Sequence, residues 1–108
     1  MALFDKKQLN NKQDDITGKI NRRRRQILVH SAIYYRYNNN LVSDKTFDDW
    51  CMELVSLHNQ YPVESSKAVF QDVYKDWTGF SGYDLLKGTA LWWSEKKAEQ
   101  LLRYNGLL

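Results

Sequence analysis

Residues 34–57, YYRYNNNLVSDKTFDDWCMELVSL, contain the end of one helical pattern and the start of another. The asparagine run at 38–40 predicts the end of the first helix. Ser43 predicts an N-cap, and Asp44 falls in the first turn, where its charge complements the helix dipole. Apolar residues then recur at i, i+3, i+4, i+7 and i+10, namely Phe47, Trp50, Cys51, Leu54 and Leu57. This one-sided spacing predicts an amphipathic helix.

The helical pattern extends to both sides of this stretch. Asp15 or Thr17 is expected to cap a long first helix, along which apolar residues recur at heptad-like spacing, namely Ile20, Ile27, Tyr34 and Tyr37. Alternating strand patterns are nearly absent. The sequence therefore predicts a small all-α domain with two long antiparallel helices and shorter C-terminal helices.

The C-terminal half carries the shorter helices. A third helix is predicted over residues 63–77, after the single proline, and TGFSG at 78–82 is expected to end it. Ser94 is expected to cap a last helix that stops near Gly106. Trp92 and Trp93 are expected to pack this end onto the core. Much of the core is predicted to consist of Trp50, Leu54, Leu57, Val69, Phe70, Val73, Leu101 and Leu102.

Length and composition favour one domain. A chain of 108 residues is expected to form a single helical domain over 15–108, preceded by an arm at 1–14 that could be helical. No apolar run is long enough to cross a bilayer, and the first residues lack the apolar segment of a secretory signal, so a cytoplasmic location is expected. Cys51 is the single cysteine and sits in the apolar pattern, which favours a core role.

Basic residues are concentrated in the first helix. Between residues 19 and 37 there are six bases and no acid, the bases being Lys19, Arg22, Arg23, Arg24, Arg25 and Arg36. This arrangement indicates a local basic patch. It could be a solvated helix face with salt bridges, a contact for nucleic-acid phosphates, or a surface that docks onto an acidic protein. Four consecutive arginines point around most of a helix, so they cannot all face one partner.

Residues 30–62 resemble the small N-terminal helical domain, called Ia, of bacterial NAD-dependent DNA ligases. In that domain a His is followed, after three residues, by Tyr-Tyr. A Ser-Asp pair comes next and is followed, after two residues, by Tyr-Asp. A Leu-rich helix then ends at a proline. The matching positions, without a gap, are His30, Tyr34, Tyr35, Ser43, Asp44, Phe47, Asp48, Leu54, Leu57, Tyr61 and Pro62. The tail at 70–86 also resembles the ending of short, stand-alone ligase-related proteins of bacterial viruses. This second resemblance implies that the protein is located in the cytoplasm of a bacterial host.

The resemblance to domain Ia implies a nucleotide site. In the family this domain closes over the nicotinamide mononucleotide half of NAD. Tyr34 and Tyr35 would then stack on or border the nicotinamide ring, while Asp44 and Asp48 would contact the ribose and the cationic ring. An oxidised nicotinamide is a flat cation, which aromatic faces and carboxylates suit.

Two further residues belong to this implied site. Phe47 stands where the family usually has Tyr, which keeps the ring but loses a hydroxyl. His30 would touch a ligand phosphate or ribose, although a partly buried helix residue is the commoner role for such a histidine. The aromatic and acidic residues of the site could equally pack two helices together and carry a solvated charge.

Catalysis is not expected. A ligase needs a Lys-x-Asp-Gly motif to take the adenylate, and the sequence has none. No catalytic constellation and no metal site is predicted, since His30 and His58 are isolated from each other.

Three functions without chemistry remain open. The first is an interaction protein that docks onto or inhibits a bacterial or viral nucleic-acid or defence protein. The second is a module that binds NAD, nicotinamide mononucleotide or a related nucleotide signal as a ligand, with no cofactor required. The third is an accessory protein that binds nucleic acid through the basic patch.

Overall fold

The computed structural model describes the backbone of residues 2–108 and the side chains of residues 15–108. The backbone in this range is helical, without strands, and so confirms the predicted all-α fold. In chain order the elements are α1 (Ala2–Tyr37), α2 (Asp44–Gln60), α3 (Pro62–Ser66), α4 (Gln71–Tyr74), a 3₁₀ turn (Tyr83–Leu85) and α5 (Gly88–Tyr104). The arm expected at 1–14 lies outside the residues whose side chains are described.

Helix α1 is the element against which the others pack, chiefly α5 and α2. Ile20 and Ile27 are fully buried in the larger core cluster, and Ala32 and Ile33 are buried in a second cluster with α5. The expected cap at residue 15 or 17 is wrong, because the helix continues through both positions. It ends at Tyr37, as the asparagine run predicted.

Helix α2 confirms the prediction from the opening stretch. The Ser43 hydroxyl accepts a hydrogen bond from the Thr46 backbone N–H at 3.1 Å, which is the predicted N-cap. Cys51 and Leu54 are buried, and the rest of the apolar face packs against them. Burial raises the pKa of the Cys51 thiol to about 11, so the thiol stays protonated and serves as a core side chain.

The predicted third helix is wrong as a continuous element. It is divided into α3 and α4, which flank a turn where Phe70 has a left-handed φ of 60°. The Val69 N–H in this turn donates to the Asn21 side-chain oxygen at 2.8 Å. Because α1 satisfies this backbone group, the chain can leave the helix without an unpaired donor.

The last helix begins earlier than predicted. It starts at Gly88, so Ser94 lies inside it and is not a cap; its hydroxyl donates to the Leu91 carbonyl at 3.0 Å. Its end is as expected. Gly106 has a φ of 72°, and the Leu107 N–H donates to the Leu102 carbonyl at 2.9 Å, as in a Schellman motif.

Seven of the eight predicted core residues lie in or against the two buried clusters, whereas Val69 is half-buried and belongs to neither of them. Leu54 and Leu102 are fully buried, and others pack against the clusters while partly exposed, namely Trp50, Leu57, Phe70, Val73 and Leu101. Trp93 packs against the core, whereas Trp92 is exposed. No helix in the described part of the chain has the length and apolar character needed to span a membrane.

Arg24 is buried, with 1% of its surface exposed, and this corrects its assignment to a surface basic patch. Its guanidinium donates to the backbone carbonyls of Ser65 and Val69 at 3.1 and 2.9 Å, and to the Gln71 side chain at 3.0 Å. One arginine therefore joins α1 to α3, to the turn that follows and to α4.

Aromatic and imidazole rings complete the surroundings of Arg24. Its guanidinium lies 4.9 Å from the centre of the Tyr74 ring, and the Tyr74 hydroxyl donates to the Arg24 carbonyl at 2.8 Å. His58 Nε2 lies 3.1 Å from Arg24 Nε and 3.0 Å from Nη2. Because a guanidinium only donates, Nε2 must accept and the neutral imidazole carries its proton on Nδ1.

Burial changes the titration of this cluster. Desolvation lowers the pKa of Arg24 to about 10, so the side chain stays charged at neutral pH. Burial, and then the charge of Arg24, lower the pKa of His58 to about 4.

We expect Arg24→Ala to lower the free energy of unfolding by about 3 kcal/mol or more, because it leaves several buried acceptors unpaired. Arg25→Ala is the matched control, since its side chain is exposed and its loss should change stability by less than about 0.5 kcal/mol. Urea denaturation followed by circular dichroism measures both variants. Equal losses in the two variants would contradict the structural role of Arg24.

We expect acid to destabilise the protein through His58. The unfolded chain takes up this proton near pH 6.5 and the folded chain only near pH 4, so the free energy of unfolding falls as the pH is lowered between these values. The imidazole is only half-buried, so the expected loss is about 1 to 2 kcal/mol. Denaturation at several pH values should show a shallower fall for His58→Gln. His30 also has a lowered pKa but titrates in both proteins, so the comparison isolates His58.

Candidate ligand pocket

A pocket of about 340 Å³ lies between the end of α1, the linker to α2, the first turns of α2 and the segment that precedes the 3₁₀ turn. Its walls include all six residues of the site that the sequence implied, namely His30, Tyr34, Tyr35, Asp44, Phe47 and Asp48. Its remaining walls come from Ser31, Asn40, Leu41, Val42, Phe80, Ser81 and Gly82.

Helical spacing explains how the residues converge. His30 and Tyr34 are four apart on α1, and Asp44 and Asp48 are four apart on α2, so each pair shares a helix face. The asparagine run turns the chain between the two helices and contributes Asn40 to the wall.

The aromatic side chains stand at the mouth of the pocket. The Tyr34 and Tyr35 rings meet edge to face with centres 4.8 Å apart, and Tyr35 meets Tyr83 at 5.3 Å. Tyr34 is 58% exposed and Tyr35 44% exposed. Neither tyrosine is a core residue, so packing of the two helices does not account for them.

The two carboxylates that line the pocket are exposed and lie on the same face of α2. Like charges at this spacing repel each other weakly. The neighbouring acid, Asp49, is outside the pocket lining and accepts a hydrogen bond from Lys45 at 2.8 Å. Asp44 and Asp48 thus give the pocket a negative potential.

The inner wall holds polar atoms without partners. His30 Nδ1 and Ser31 Oγ are both buried and make no hydrogen bond with the described part of the chain. The His30 ring packs against the Trp50 ring with centres 5.2 Å apart, and burial lowers the pKa of His30 below its ordinary value. The imidazole is therefore neutral at pH 7.

Sequence reasoning missed the wall formed by Phe80, Ser81 and Gly82. The TGFSG stretch predicts the end of a helix, and its two glycines around an aromatic residue are the sequence signal for this wall. Gly79 has a φ of 87°, and Gly82 lies so close to α1 that an added Cβ would overlap Ser31 Oγ. Glycine is required at position 79 because of its positive φ, and at position 82 because of its close approach to α1.

Hydrogen bonds fix this wall from both sides. Trp77 Nε1–H donates to the Ser81 carbonyl at 2.8 Å, and the Tyr83 N–H donates to the Ser81 hydroxyl at 3.1 Å. Both bonds are made to Ser81, the residue that follows Phe80, whereas the Phe80 side chain itself is 94% exposed. An anchored segment thus presents an aromatic ring to solvent beside the pocket.

The six basic residues do not form one free patch. Lys19 and Arg23 lie 3.7 and 2.9 Å from the Glu53 carboxylate, and Arg36 lies 2.7 Å from Glu95. The remaining two exposed bases are Arg22 and Arg25, which have no acidic partner within residues 15–108. Among the described residues, no three His, Cys, Asp or Glu side chains are grouped to hold a metal ion.

We expect Gly82→Ala to lower the free energy of unfolding by about 1 to 3 kcal/mol, because its Cβ would overlap Ser31 Oγ. Ser31→Ala removes the overlapping atom, which has no hydrogen-bond partner among the described residues, so the double variant should lose less stability than Gly82→Ala alone. Gly18→Ala is the control, since its Cβ meets nothing within 4 Å. Denaturation of the four variants measures the coupling, and strict additivity would contradict the close contact.

No protein-family model matches this chain, and comparison with curated proteins and with solved structures found no similar protein. Function must therefore be inferred from the side chains that line the pocket.

Proposed function

We propose that the chain is a non-catalytic binding module whose pocket takes the nicotinamide end of a nucleotide such as nicotinamide mononucleotide or NAD. One observation carries this proposal. The six residues that the resemblance to ligase domain Ia implies for nicotinamide recognition line a single pocket. They come from two different helices, α1 and α2, so their meeting is a property of the folded chain.

The dimensions and chemistry of the pocket support the proposal. Its volume of about 340 Å³ falls at the lower end of the range for small-molecule sites. A nicotinamide ring and its ribose are of the corresponding size. Aromatic faces from Tyr34 and Tyr35, with carboxylates from Asp44 and Asp48, would attract a flat cation.

Phe80 extends the proposed site beyond the residues of the resemblance. Its ring is almost fully exposed, and exposed large apolar side chains at a pocket often mark binding. In the proposed complex Phe80 covers the ligand from the side opposite the helices. This contact would remove apolar surface from water on both partners.

The exposed aromatic rings also favour a second function, docking onto a protein. Tyr34, Tyr35 and Phe80 are exposed in the pocket lining, and the exposed Tyr83 ring contacts Tyr35. Aromatic side chains are enriched at protein interfaces. In this role the module would bind or inhibit a bacterial or viral nucleic-acid or defence protein. Nucleic-acid binding has less support, because four of the six bases are buried or paired with acids.

We expect nicotinamide mononucleotide to bind saturably in a calorimetric titration, with one site per chain. Tyr34→Ala and Asp48→Ala should each weaken binding by roughly tenfold, because each removes an attraction to the cationic ring of about 1 kcal/mol or more. Asp49→Ala is the matched control, since this acid neighbours Asp48 but lies outside the pocket lining. A flat titration with a well-folded protein would refute nucleotide binding.

We expect a different result if the pocket docks onto a protein. The wild-type chain, used as bait in a bacterial lysate, should then retain a stoichiometric partner that is lost with Tyr35→Ala and Phe80→Ala. Tyr104→Ala is the control, because Tyr104 is an exposed aromatic residue of α5 outside the pocket. Retention of the same partner by all variants would place the interface elsewhere.

A further inference from the structure

We infer that the pocket recognises its ligand as a cationic nucleoside, through the positively charged ring and the ribose, and offers no positively charged side chain to a phosphate group. This inference rests on the proposed nucleotide-binding function and specifies which part of the ligand is read. It predicts that a nicotinamide riboside, which has no phosphate, binds at least as well as the mononucleotide.

The charges of the pocket support this inference first. Asp44 and Asp48 are negatively charged, and no lysine or arginine is among the described residues that line the pocket. Proteins generally hold phosphate groups with arginine, lysine or the N-terminus of a helix. The N-terminus of α2 is nearby, but Asp44 occupies its first turn and Ser43 accepts the Thr46 N–H. An arriving phosphate would therefore meet a carboxylate at that end.

The histidine of the pocket wall, His30, does not supply a positive charge. Burial lowers the pKa of His30, so its imidazole is neutral at pH 7, and it packs against the Trp50 ring. Its unpartnered Nδ1 could exchange a hydrogen bond with a neutral ligand group, such as a hydroxyl or an amide. A neutral imidazole does not compensate for a phosphate charge.

The bases closest in sequence to the pocket are engaged with other acids. Arg36 follows Tyr35 but pairs with Glu95 of α5 at 2.7 Å. Lys45 follows Asp44 but pairs with Asp49 at 2.8 Å, away from the pocket lining. Moving either side chain to a phosphate would break an existing ion pair.

Because of these charges, the pocket should discriminate between ligands by their charge as well as by their shape. A singly positive riboside gains from both carboxylates and from the aromatic faces. The mononucleotide has the same ring but adds a phosphate that the carboxylates repel. A reduced nicotinamide ring carries no charge, so it keeps the shape and loses the electrostatic attraction.

The test is a calorimetric titration at pH 7.5 and constant ionic strength with nicotinamide riboside, its reduced form and nicotinamide mononucleotide. We expect the riboside to bind as tightly as the mononucleotide or more tightly, and the reduced riboside to bind roughly tenfold more weakly. Replacing both acids, Asp44→Asn with Asp48→Asn, should weaken the riboside more than the mononucleotide. The Asp49→Asn control should leave the order unchanged.

Three outcomes would overturn the inference in distinguishable ways. Mononucleotide binding roughly tenfold tighter than riboside binding would show an attractive phosphate contact, while leaving nicotinamide binding intact. Equal affinity for the oxidised and reduced ribosides would show that the pocket does not recognise the charge of the nicotinamide ring. Absence of binding by every ligand, with a cooperative unfolding transition retained, would overturn both the inference and the proposed function.

Discussion

The buried guanidinium of Arg24 is the interaction on which the rest of the structure depends. A buried charge is costly unless its hydrogen bonds are satisfied, and here the partners are neutral: two backbone carbonyls, the Gln71 side chain and the His58 ring. These partners lie on α2, α3, α4 and the turn before α4. Satisfying one side chain of α1 therefore fixes the placement of the segments that follow α2.

The candidate pocket is built on the same scaffold. Its inner wall is formed by His30 and Ser31 of α1, and its outer wall is a segment held by Trp77 and by two glycines. Trp77 in turn packs on Tyr74, whose hydroxyl is bound to the Arg24 carbonyl. The arginine cluster thus connects through two aromatic rings to the wall that carries Phe80. The position of this wall, rather than the helices alone, turns an aromatic surface into a pocket.

Much of the fold could be predicted from the sequence because local rules govern it. Periodicity and the Ser43 cap gave α2 closely, and Gly106 gave the end of α5, since capping and one-sided burial act over a few residues. The break between α3 and α4 could not be predicted, because the hydrogen bond from the Val69 N–H to the Asn21 side chain joins residues far apart in sequence. The sequence predicted the site residues on α1 and α2. It did not predict the third wall, which depends on the close approach of Gly82 to Ser31.

The sequence by itself determined the helical class, the junction at the asparagine run and the spacing that places aromatic and acidic residues on facing helices. These properties follow from steric and hydrogen-bonding preferences that each residue carries in any context. Only the tertiary structure decided which of four consecutive arginines is buried and which residues close the pocket. Such choices depend on satisfying a charge, or on fitting a backbone, against atoms that lie distant in sequence, and no local pattern encodes that fit.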